Sequence, residues 1–108
     1  MTKITFALFS NSDRSAVAAA NEVENILVQQ NAHQISRPPS KQLSLGATVI
    51  AVVVSGTGVA IANGIFALLK QRRSVTIEIT TEKGTVMVSN ATLSEGEAAA
   101  LRMIKEAI

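Results

Sequence analysis

The chain has 108 residues, a net charge of +2, and no cysteine, tryptophan or tyrosine. That length supports one small core, and the missing cysteines exclude disulfides, thiolate metal sites and cysteine nucleophiles. With little net charge and only Phe6, Phe9 and Phe66 as aromatic side chains, the chain lacks the basic field and stacking rings of a nucleic-acid reader, so no nucleic acid is expected as a partner.

Lys3 to Phe9 is short and rich in β-branched and aromatic residues, which predicts a strand with Ile4, Phe6 and Leu8 on one face. Its apolar stretch is too short for the core of an export signal. The expected location is therefore cytoplasmic, with the inner membrane as the surface it would meet. Asn11, Ser12 and Asp13 offer caps for a helix from Asp13 to Gln30, with Val17, Ala20, Val23 and Leu27 on its buried side. His33 falls in a polar linker, where one histidine without cysteine makes no zinc site. Ile35 can anchor a short edge strand before the Arg37-Pro38-Pro39-Ser40 break.

The run from Leu43 to Leu69 carries no charged residue. It is longer than the roughly 20 apolar residues that cross a bilayer. Lys41 flanks it on one side, and Lys70, Arg72 and Arg73 flank it on the other. On a helix, Gly56, Ala60 and Gly64 make a small-residue stripe of the kind that packs helices together in lipid. Ser44, Thr48, Ser55, Thr57 and Asn63 dilute the run, and Ser55-Gly56-Thr57-Gly58 can break it in the middle. Three arrangements follow: one spanning helix, a hairpin of two short helices packed on a sheet, or a β-hairpin. A buried core element is the competing reading, because continuous apolar runs also describe fully buried elements.

Val75 to Thr80 alternates with period two, Thr81-Glu82-Lys83-Gly84 reads as a turn, and Thr85 to Ser89 returns as the second arm of a hairpin. Ser94 and Glu97 have capping-box spacing for a last helix, with Ala98, Leu101, Ile104 or Lys105, and Ile108 along its buried stripe. Glu95 and Glu97 are accounted for by that helix start, not by acid–base chemistry. Gly56 and Gly58 after Val52-Val53-Val54 suggest a phosphate loop, but Ile61 stands where a dinucleotide fingerprint wants Gly or Ala. No nucleophile, base and stabiliser converge, so no enzyme and no cofactor is expected.

The expected fold is α+β: a small sheet of about four strands, flanking helices, and a central Gly-rich apolar helix or helical hairpin. Residues 1–42 form strand, helix and strand, 43–73 the apolar segment with its basic exit, and 74–108 the hairpin and last helix.

This order of features resembles the effector-associated constant component family of bacterial NTP-dependent conflict systems. The matching residues are the Arg37-Pro38-Pro39 break, Ser55-Gly56-Thr57-Gly58, the exit Lys70-Gln71-Arg72-Arg73, and Ser74 to Ile79 with the Lys83-Gly84 turn. The resemblance implies a defence role beside an effector, such as a trypsin- or caspase-like protease. Two functions follow as expectations. One is a latent membrane-disrupting homo-oligomer, inserting and assembling through Gly56, Gly58, Ala60 and Gly64, with Lys70, Arg72 and Arg73 meeting lipid heads or a partner. The other is a soluble adaptor that recruits the effector.

Overall fold

The computed structural model describes residues 2–38, 46–54 and 56–107. The features expected at Pro39, Ser40, Lys41, Leu43, Ser44, Ser55 and Ile108 lie outside the described residues.

Alternation builds the first strand, β1 (Thr2–Phe9): Thr2, Ile4, Phe6 and Leu8 are buried, and the residues between them are not. Ser12 then caps α1 (Asp13–Gln29), its hydroxyl accepting the Ser15 N–H at 3.1 Å. The buried stripe of α1 is Ala16, Ala19, Ala20, Val23 and Leu27. Val17, expected in that stripe, is 45% exposed; Ala16, four residues before Ala20, holds that turn of the stripe, and Val17 lies about 100° round the helix from it. Asn31, at φ 59, ends the helix in the left-handed region, and Ala32 N–H reaches back to the Leu27 carbonyl.

The short edge strand β2 (His33–Ser36) follows, then β3 (Gly46–Val53) and α2 (Gly58–Gln71). The hairpin is β4 (Thr76–Thr81) and β5 (Gly84–Ser89), and α3 (Leu93–Ala107) ends the described chain. The strands form one five-stranded sheet in the order β2-β3-β1-β4-β5, every neighbouring pair antiparallel. That is one strand more than expected, and the additional strand comes from the apolar run.

The apolar run is neither a spanning helix, nor a helical hairpin, nor a β-hairpin. Its described part is a strand followed by a helix. Thr48, Val49, Ile50, Val52 and Val53 are β-branched, which favours the pleated conformation. After Gly56, at φ 90, the chain turns, and alanine-rich helix begins at Gly58. Among the described residues, no helix is long and apolar enough to cross a membrane. The 14 residues of α2 reach about 21 Å at about 1.5 Å per residue, against a hydrocarbon core of about 30 Å.

Ile4, Phe6, Leu8, Val49, Ala51, Val53, Ile77, Ile79 and Val88 make the inner sheet face. They share one cluster with Leu27 of α1, Ile61, Ile65 and Leu69 of α2, and Ile104 of α3. All three described helices therefore cover the same face. Leu93, Ala100 and Ile104 of α3 are buried and Leu101 packs partly buried against them, so Leu101 and Ile104 stand where expected, while Ala98 and the alternative Lys105 are exposed. The helix begins at Leu93, ahead of Ser94, so Ser94 lies within the first turn and is not the cap.

Candidate functional site

The residues expected to act together are distributed over different tasks. Gly56 sits in the turn before α2, exposed, with a positive φ. Gly58 is buried as the first residue of α2, and Ala60 is exposed on its outer side. Gly64 faces α1: a Cβ placed there would meet three Ile26 side-chain atoms at 3.1–3.2 Å. The small-residue stripe is thus interrupted at Gly56, and its best-placed member already serves a contact within the molecule.

The basic exit also divides. Arg72 is paired with Glu22 of α1, its Nε donating to Oε2 at 3.0 Å and its Nη2 to Oε1 at 2.9 Å. This fork ties the end of α2 to α1. The hydrogen bonds that Arg72 donates to Glu22 raise its pKa, burial opposes the rise, and the charge of Glu22 adds to it. Lys70 and Arg73 are exposed beside it. Arg37 makes the corresponding tie for β2, donating to Asn21 and standing 3.6 Å from Glu24. A shallow groove of about 240 Å³ runs between α1 and α2, lined by Glu22, Asn25, Ile26, Gly64, Ala67, Leu68 and Gln71.

The outer face of the sheet is a second surface, uncovered by any described helix. Lys3, Thr5, Ala7 and Phe9 of β1 lie opposite Val52, Ile50, Thr48 and Gly46 of β3. Thr76, Glu78 and Thr80 of β4 lie opposite Ser89, Met87 and Thr85 of β5. Along these four strands only Lys3 and Glu78 bring charge to this face; the rest is threonine, serine and small or aliphatic side chains, with Phe9 at one end. At the end of β1, Lys3, Thr5, Thr80 and Glu82 line an open depression of about 390 Å³ together with Thr2 and Thr81.

His33 is exposed at the start of β2, on a strand where a linker was expected. Sequence reasoning passed over the outer face entirely. Its signal was present in the polar half of each alternation, where threonine stands in place of charged residues. β5 is the hairpin arm expected at Thr85 to Ser89; its place at the edge of the sheet depends on the strand order, which the local pattern does not carry. Comparison with protein-family models and with curated proteins finds no match for this chain.

Proposed function

We propose that this protein is a non-enzymatic recruiting component: an adaptor that engages an effector protein by protein–protein contact through the outer face of its sheet. The observation that carries this reading is the fate of the apolar run. Its β3 half lies between β1 and β2, with a hydrogen-bonded neighbour on both sides. Its α2 half buries Ile61, Ala62, Ile65, Phe66, Leu68 and Leu69 in the common core. The apolar surface that would enter a bilayer is therefore already used in folding. A latent pore would have to break two strand ladders and open the core before it could insert. The outer face, by contrast, is poor in charge and free of described helices, and Thr and aliphatic side chains suit a protein surface that must desolvate on contact. The conflict-system resemblance supplies the class of partner, an effector of trypsin- or caspase-like type.

The test uses the whole chain with a trypsin- or caspase-like effector protease of the class that the resemblance implies. Co-purification is expected, together with no dye release from anionic liposomes, with or without the effector. Val52→Glu should abolish the complex while the fold persists, because Lys3 stands directly opposite and accepts the new charge. Leakage on addition of the effector would overturn the adaptor reading in favour of the pore.

A further inference from the structure

The two edges of the sheet are treated differently. β2 is blunted: its register shifts between His33 and Ser36, Gln34 has φ 52, and Arg37 and Pro38 follow at once. Bulges, charge and proline are the usual protections of an edge. β5 has none of them. From Gly84 to Ser89 it carries neither charge nor proline, it pairs with β4 in unbroken register, and Met87 is 54% exposed.

The backbone identifies which groups are free. In an antiparallel ladder, alternate residues turn N–H and C=O toward the neighbour or away from it. Ser89 turns away from β4: its N–H donates to Thr92 Oγ1 at 3.1 Å, and its carbonyl accepts the Thr92 N–H at 3.2 Å. Thr85 and Met87 share its phase, so they direct their N–H and C=O groups outward, while Ser89 is already satisfied. Gly96 of α3 overlooks this edge, and a side chain there would begin 3.7 Å from the Met87 carbonyl. Its being glycine leaves the approach open.

We infer that β5 pairs with β5 of a second copy of this chain, antiparallel, about a two-fold axis at Val86. That register sets Thr85 against Met87 of the other copy, and Met87 against Thr85, so each free backbone donor meets a free acceptor and Ser89 is not needed. A centre at Met87 would instead set Thr85 against Ser89, whose groups are taken. Val86 then faces its own copy at the axis, in the closer, non-hydrogen-bonded pairing. The groove of about 310 Å³ beside it, lined by Thr85, Val86, Ala99, Arg102, Met103 and Glu106, becomes the seam between the two copies of α3. Arg102 and Glu106 are exposed and one helical turn apart. Antiparallel packing brings Arg102 of each copy toward Glu106 of the other, the self-complementarity that an isologous contact requires.

Sedimentation of the wild-type chain over a range of concentration should show a monomer–dimer equilibrium. Met87→Pro removes one outward N–H and leaves the β4 ladder intact; it should sediment as a folded monomer. Arg102→Glu should weaken the dimer by about tenfold or more, as like charges meet across the seam, and adding Glu106→Arg should restore it. Val52→Glu, on the outer face, should leave the dimer unchanged. A wild-type chain that stays monomeric at every concentration overturns the proposal. So does a dimer that is indifferent to the Arg102→Glu reversal, a test that holds even where Met87→Pro fails to fold.

Discussion

Single side chains here do structural work where exposure to a membrane or a partner was expected. Arg72 is the clearest case. Its partner Glu22 lies 50 positions away in the chain, so nothing in the local run of basic residues could announce the pair. Both side chains are about a third exposed, at 32% and 38%, so solvent screens the interaction. A double-mutant cycle with Arg72→Ala and Glu22→Ala should give a coupling of about 0.5–1 kcal/mol that falls as salt is raised. Because the folded pKa of Arg72 lies above its ordinary value, its contribution, while Glu22 carries its charge, is complete below the normal guanidinium range and is lost as pH rises through the folded value. Gly64 is the second case. Gly64→Leu should cost about 1–3 kcal/mol in urea denaturation, because Ile26 already fills the space its side chain would need. Gly84 is held at φ 141 in the hairpin turn. Gly84→Ala should destabilise by about 1 kcal/mol or more although the space around it is open, since the strain is in the backbone.

Among the elements, those with clear periodicity were legible and those without were not. Ile77 and Ile79 alternate with Thr76, Glu78 and Thr80, and the hairpin falls where the alternation places it. Ser12 caps α1 as its sequence signals. β3 gives no such signal, because its outer positions are Thr48, Ile50 and Val52 while its inner ones are Val49, Ala51 and Val53. A strand apolar on both faces, followed by a helix apolar on most of its surface, reads as one continuous run, and counting its length cannot reveal the turn at Gly56. The fold implies a sharp contrast on α2. Ala60→Leu should change stability by less than about 0.5 kcal/mol and leave the oligomeric state as it is, because Ala60 is exposed and makes no stripe with Gly56. Ile65→Ala should cost about 2–5 kcal/mol, since Ile65 is fully buried in the shared core.

The described molecule folds as one body, with a radius of gyration of 12.5 Å against about 13 Å for a compact chain of 100 residues. The apolar run is inside that body. Chemical denaturation should accordingly be a single cooperative transition, with the fluorescence of a probe on α2 and the circular dichroism of the sheet moving together. A probe on α2 that changed first would mean that the segment can leave the core while the rest stays folded.

The position of β1 carries a consequence for synthesis. It is the middle strand of the sheet, yet it leaves the ribosome ahead of both its neighbours, with Phe6 paired to Val49 on one side and Ile79 on the other. At about 5–20 residues per second, it waits for several seconds for its second neighbour. Through that interval its apolar residues and unpaired backbone must be shielded by something other than their final partners. Nascent chains arrested at Arg73 should therefore be digested readily by protease, and chains released after α3 should resist.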